Sequence, residues 1–294
     1  VTASESRGTC VERSIQQFLE RLRVERGAAK NTLLAYRTDL DQFRRVLAAR
    51  GVAAPEELNA AVLESYVGWL HRQGYRPATI SRKLAAARSY LEYAGHASGI
   101  RGETLRKVLR APSNPRSEPR TLSPEELDRL LEAPMRRKSA GAIRDGAILS
   151  VLYETAFRAA EIVNLQLGDL NIEAALLLKP PARVEAYAIP RSVEPLKRYL
   201  RESRPQLSKQ PGEQTLFLNQ RGNGLSRQGL WLVVKRWASD ADLGDDLSPQ
   251  TLRHTRARDL LQAGHSRREV QTFLGLSSPN AIRIHRATRG AETE

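Results

Sequence analysis

The sequence predicts a mainly α-helical protein with one small β-hairpin, divided into an N-terminal helical unit and a C-terminal α+β unit. Three observations carry this. Apolar residues recur at three- and four-residue spacing through most of the chain, the period of amphipathic helices. Only Leu176 to Ile189 reads as short strands, broken at Pro180-Pro181. Between the units, residues 101–120 turn basic and proline-rich, with Arg101, Arg106, Lys107, Arg110, Arg116 and Arg120 around Pro112, Pro115 and Pro119. A length of 294 residues suits two domains, each able to bury a core. We place them at 11–110 and 121–294, with a basic linker at 111–120.

Each element has a local reason. Ile15, Phe18, Leu19 and Leu22 form one stripe within Ser14 to Arg23. Asn31 or Thr32 caps a second helix running through Leu34, Tyr36, Leu40, Phe43 and Leu47 to Gly51. Pro55-Glu56-Glu57 opens a third, to Trp69, and Thr79 to Tyr93 forms a fourth. In the second unit Ser123, Pro124 and Glu126 make a capping box. Helices follow at 142–155, 159–165, 193–199, 227–238, 251–263 and 268–274. Prolines deter regular structure in the linker, which is either a phosphate-tracking strap or a solvated tether.

Composition narrows the function. Hydrophobic residues make up 40% and charged residues 27%, the balance of a soluble globular protein. No run of about 18 apolar residues exists, so no membrane partner is expected. Val1 to Cys10 lacks an apolar signal core, and a single cysteine cannot close an internal disulfide. A cytoplasmic place is therefore expected. Five histidines and one cysteine show no metal-ligand spacing, and no cofactor is implied. The formal charge of +14 points to a polyanion, most simply nucleic acid. The alternative is a high-GC genome that favours arginine codons, which would raise the charge without any function.

Specific motifs sharpen this. The stretch Leu152-Tyr153-Glu154-Thr155-Ala156-Phe157-Arg158-Ala159-Ala160-Glu161-Ile162 resembles the first arginine box of the tyrosine recombinases, closest to the Xer type. Leu247-Ser248-Pro249-Gln250-Thr251-Leu252-Arg253-His254 and Phe273-Leu274-Gly275-Leu276 resemble the later boxes. Asn31-Thr32 with Ala35-Tyr36-Arg37-Thr38-Asp39-Leu40 resembles the family's core-binding domain, and Arg120-Thr121-Leu122-Ser123 the start of its catalytic domain. The resemblance implies a four-helix SAM-like N-terminal domain and a catalytic-type α+β domain that cuts DNA with a tyrosine. Two arginines would stabilise the charged phosphate, a hairpin lysine would protonate the leaving oxygen, and histidines would assist.

Carried over by position, the set is divided. The arginines match Arg158 and Arg253. The hairpin lysine position falls at Ala182, the first histidine at Gln250, the second at Leu276 and the tyrosine at His285. No tyrosine follows Tyr199, and Tyr187 lies on the hairpin, away from the usual helix. Lys179 and Arg183 lie near Ala182, although a one-residue offset on a strand places Arg183 on the opposite face.

The expectation is a duplex DNA-binding protein that has lost strand transfer, acting in DNA regulation, chromosome organisation or modulation of recombination, nucleoid-associated and beside a catalytically active recombinase. Phosphate contacts are expected from Arg158, Arg253, Gln250, His254, Lys179 and Arg183. Other DNA contacts are expected from Arg82, Lys83, Arg116, Arg120, Arg227 and Lys235. The competing readings are an active recombinase using His285 or another unorthodox nucleophile, an RNA-binding protein, and arginines kept only as ion-pair partners of Glu161 or Asp169. The short polar tail after His285 predicts a monomer or a weak oligomer.

Overall fold

Apolar stripes become helices through the N-terminal third. The computed structural model describes residues 3–25, 27–28, 30–52, 54, 57–95, 102–110 and 119–276. Chain contacts separate two units, Val1–Arg116 and Ser117–Glu294. In the first, α1 (Ala3–Glu25), α2 (Lys30–Ala48), α3 (Ala60–Arg72) and α4 (Pro77–Tyr93) are the four expected helices. Helix α2 starts before its expected cap. Helix α3 starts at Ala60 rather than Pro55, because the Asn59 side chain accepts from Val62 N at 3.0 Å and sets the first turn. Phe18, Phe43, Tyr66 and Tyr90 centre the core.

A fifth helix, α5 (Gly102–Val108), occupies a stretch whose charge and prolines suggested a structureless strap. The reason is burial. Leu105 and Leu109 are inserted in the same core as the four longer helices. Leu105→Ala is expected to cost this unit about 2–5 kcal/mol, the usual cost of truncating a buried leucine. Urea unfolding would read it, and a change within ±0.5 kcal/mol, as for a surface site, would place α5 outside the cooperative unit.

Charge is buried here as well. The Asp39 carboxylate accepts from Lys83 Nζ at 3.0 Å and pairs with Arg82, while Lys83 also donates to Gln42 at 2.5 Å and lies 5.0 Å from the Tyr75 ring centre. Lys83 is only 5% exposed. The expectation that it contacts DNA therefore fails for a physical reason: a lysine this deep must keep its counter-ion. Arg82 shares that carboxylate but is half-exposed.

The second unit opens with α6 (Pro124–Glu132), with the expected reciprocal capping bonds between Ser123 and Glu126. Helix α7 (Ala140–Thr155) runs through its centre, apolar nearly all round. After α8 (Ala159–Val163) come β1 (Leu170–Asn171), β2 (Leu176–Leu178) and β3 (Ala186–Ala188). They form an antiparallel sheet in the order β1-β2-β3, with Leu177 opposite Tyr187. The remaining helices are α9 (Val193–Arg198), α10 (Arg204–Leu207), α11 (Arg227–Asp240), α12 (Pro249–Gln262) and α13 (Arg267–Phe273). Trp237 of α11 is fully buried and donates from Nε1 to Asp145 at 2.9 Å. Asp145 in turn holds Arg144, whose Nη1 donates to the Leu218 carbonyl. This network ties α11 to α7. Among the described residues no helix is long and apolar enough to cross a membrane.

Candidate phosphate-binding site

Arg158 is placed by a break in the chain after α7. Ala156 takes a left-handed conformation (φ 51°), and Thr155 Oγ1 donates to Val151 O at 2.7 Å while accepting from Phe157 N at 3.2 Å. This turn brings Arg158 to the start of α8. There Glu161 accepts from Arg158 N at 2.6 Å and from its Nη1 at 3.0 Å. Arg158 thus does have an ion-pair partner, yet its side chain stays 46% exposed.

Arg253 comes from α12 and is buried. Its Nη1 donates to the Ala156 carbonyl and its Nη2 to the Leu274 carbonyl at 2.6 Å. Burial, and then the neighbouring Arg158, push its pKa down to about 10, so it remains a full cation at neutral pH. The direction is informative. Burial and a second cation both disfavour its charge and Glu161 offsets them only in part, so a bound anion would stabilise it.

These donors converge on the end of α13. Tyr187 Oη lies 2.8 Å from the Phe273 carbonyl, Arg253 holds Leu274 O, and Arg158 Nη2 holds Gly275 O at 2.9 Å. Three consecutive carbonyls that a helix end leaves unpaired are therefore each satisfied by this cluster. Each guanidinium carries five N–H donors, so both arginines keep spare donors for an anion.

Lys179 joins the same place. Its side chain is 10% exposed, with Nζ 3.2 Å from Glu185 Oε2 and 3.2 Å from Tyr187 Oη. Gly275 has φ +59°, a left-handed conformation that favours glycine, and a Cβ there would come within 2.5 Å of the flexible end of Lys179 at Nζ. Ala182 is exposed in the turn. Arg183 is in that turn too, not on a strand, with φ +57°, and its Nε donates to the buried Asp169 at 2.5 Å. The strand-face argument for Arg183 is thereby corrected: the Asp169 pair holds it, and the phosphate contact expected of it loses its support.

Gln250 and His254 sit one turn apart on α12, their Nε2 atoms 3.3 Å apart. Leu276 packs against the apolar group of Ala156, Ala257, Val270 and Leu274. Its carbonyl accepts from Gln271 Nε2 at 3.1 Å. His285 and Arg116 lie outside the described residues. Arg120 is bound by Asp246 and Glu126 within its own unit. Arg227 is exposed at the start of α11, and Lys235 on that helix donates to Asp245 O with its ammonium 5.0 Å from the Trp231 ring centre. No trio of His, Cys, Asp or Glu among the described residues is placed to hold a metal.

Glu185 was missed from the sequence, and Tyr187 was weighed there only as a distant nucleophile and not as a member of this cluster. A signal existed. On a hairpin with period-two alternation, Leu177 and Lys179 share a face with Glu185, Tyr187 and Ile189. Burial pushes the Tyr187 phenol well above its ordinary range, and Glu185 raises it further. Lys179 and then Tyr187, by hydrogen bonds, hold the Glu185 carboxyl below its ordinary range.

Comparison with known proteins agrees with this architecture. Residues 120–290 match the phage integrase family, and residues 15–98 match the phage integrase N-terminal SAM-like domain. Tyrosine recombinase XerC of Herpetosiphon aurantiacus is 35% identical over 278 residues, 94% of this chain and 90% of that protein. Tyrosine recombinase XerD of Staphylococcus saprophyticus is 31% identical, covering 92% of each. Among solved structures, XerH site-specific recombinase bound to a palindromic difH substrate superposes with a TM-score of 0.72 at 21% identity, over 92% of this chain and 79% of that one. The Tn1549 transposon integrase in complex with transposon right-end DNA gives 0.71 at 16% identity, over 91% and 92%. With the paired arginines in their motifs and both domains matched, this chain belongs to the phage integrase family, among the relatives of the Xer tyrosine recombinases.

Proposed function

We propose that this protein grips duplex DNA through a phosphate held by Arg158, Arg253 and Lys179, and that it does not cut it. The observation that carries the reading is geometric: the guanidiniums of buried Arg253 and half-exposed Arg158 converge on the carbonyls at the end of α13 beside Lys179, each arginine with N–H donors to spare. Solved relatives support DNA as the ligand, since XerH was solved bound to a difH substrate and the Tn1549 transposon integrase in complex with transposon right-end DNA. Against strand transfer stand Ala182, Gln250, Leu276 and His285 at the positions that resemble the family's lysine, histidines and tyrosine. Tyr187 is a poor substitute nucleophile, because its side chain is buried and its hydroxyl is held by Glu185 and the Phe273 carbonyl. In this reading the helix α11, with Arg227 and Lys235, lies against the duplex. The protein works on chromosomal DNA in the cytoplasm, as a monomer or loose pair, beside a catalytically active recombinase.

A nicked suicide duplex tests the reading. Tight binding that weakens steeply with salt, and no covalent adduct on a denaturing gel, is the expected result. An adduct that disappears in His285→Phe would overturn the inactive reading and establish an unorthodox nucleophile.

A further inference from the structure

We propose that Tyr187 is a positioning residue that carries Lys179 into the phosphate grip, and that Glu185 is the resident counter-ion an incoming phosphate replaces. The inference rests on the DNA-binding reading above and gives that site a mechanism of loading.

The hairpin turn itself offers no inward cation: Ala182 is exposed and Arg183 is bound to Asp169. The charge comes instead from the end of β2. Lys179 folds back beneath the hairpin, its ammonium 5.4 Å from the Tyr187 ring centre and against Gly275, whose carbonyl Arg158 holds. Tyr187 is fixed from the first arginine box and from the last matched stretch. Its ring meets Phe157, the neighbour of Arg158, edge-on at 4.8 Å, and Phe273 at 5.2 Å. A lysine has four torsions to freeze before its charge can be placed, and a rigid aromatic platform lowers that cost in advance.

Glu185 completes the device. Its carboxylate lies 3.2 Å from Lys179 and 3.1 Å from Tyr187 Oη, yet its side chain is 55% exposed. The single Tyr187 proton serves either this carboxylate or the Phe273 carbonyl at 2.8 Å. The pair is open to solvent on its carboxylate side only, so Glu185, unlike the buried Asp39 that holds Lys83, can be released into water when another anion takes its place. A phosphate bound at once by two arginines and Lys179 would outcompete it, swing Glu185 into solvent and commit the tyrosine proton to Phe273.

The experiment measures duplex affinity across a salt series for the full chain and for Lys179→Met, Glu185→Gln, Tyr187→Phe and the Lys179→Met/Tyr187→Phe pair. Methionine keeps the packed stem of Lys179. Lys179→Met is expected to lower the slope of log K against log salt by about 0.9, one phosphate contact. Glu185→Gln should tighten binding roughly threefold, and Tyr187→Phe weaken it roughly threefold, the scale of one exposed charge contact. The Tyr187 effect should vanish in the Lys179→Met background, since the tyrosine acts through the lysine. A Tyr187→Phe loss that persists without the lysine overturns the inference alone, and an unchanged slope in Lys179→Met overturns the inference and takes Lys179 out of the grip, leaving the DNA-binding reading to the two arginines. Wild-type protein that binds no duplex in a salt-dependent way overturns the DNA-binding reading, and this inference with it.

Discussion

Replacing both Arg158 and Arg253 by alanine is expected to weaken duplex binding on the order of a hundredfold, equally for every DNA sequence. Each charge-assisted hydrogen bond to phosphate contributes about 1.5–3 kcal/mol, so two lost contacts reach that scale or exceed it. Because phosphates carry no base information, the loss should not depend on sequence. The slope of log K against log salt should fall by about 1.8, twice the value for one contact. A second pair, Arg158→Lys with Arg253→Lys, separates charge from shape. Lysine keeps the cation but loses the planar fork that holds a carbonyl and a phosphate together, so most of the salt slope should survive while affinity falls. Filter binding across a salt series reads all three quantities. Unchanged affinity in the alanine pair would mean that these arginines serve only the carbonyls of Ala156, Leu274 and Gly275 that they hold.

How much of this was legible in the sequence depends on the range of the interaction. Most helices of both units were readable because their apolar spacing is a local signal, although the short α10 was not foreseen. The Ser123–Glu126 cap was readable for the same reason. Helix α5 was not, since its signal was two leucines, Leu105 and Leu109, among six basic residues and three prolines in 101–120. Only the core that receives those leucines makes the segment helical. The arginines were found through motifs. Their carbonyl partners were not, because Arg253 and Ala156 are 97 residues apart and backbone acceptors leave no residue signature. Lys83 shows the reverse error. A lysine on an arginine-rich helix reads as surface charge until Asp39, 44 residues away, is seen beneath it. Tyr187 fell between these cases. Its alternation marked an inward side chain, but its meeting with Phe273 depends on α13 packing against the hairpin.

Asp145→Ala is expected to be the most damaging single substitution in the second unit, at about 3–5 kcal/mol, the range for breaking a buried ion pair by removing one partner. Asp145 is 1% exposed and accepts from Arg144 Nε at 2.8 Å, Arg144 Nη2 at 2.6 Å and Trp237 Nε1 at 2.9 Å. Alanine removes all three acceptor contacts together. Arg144, itself 6% exposed, would keep only the Leu218 carbonyl for a full positive charge, and the indole N–H would be buried unpaired. For a unit of this size the melting temperature should drop on the order of 10 °C. The same network binds α7, which leads into Arg158, to α11, which carries Arg227, so DNA binding should weaken as the unit loosens. A paired replacement decides whether charge or packing matters. Arg144→Met with Asp145→Leu removes both ions and keeps apolar volume, and should recover most of the lost stability, since a buried pair exchanged for well-packed apolar side chains is commonly neutral. Thermal denaturation of the three proteins distinguishes the cases. If the apolar pair is as unstable as Asp145→Ala, then the Trp237 N–H bond, rather than the unpaired arginine, holds α11 against α7.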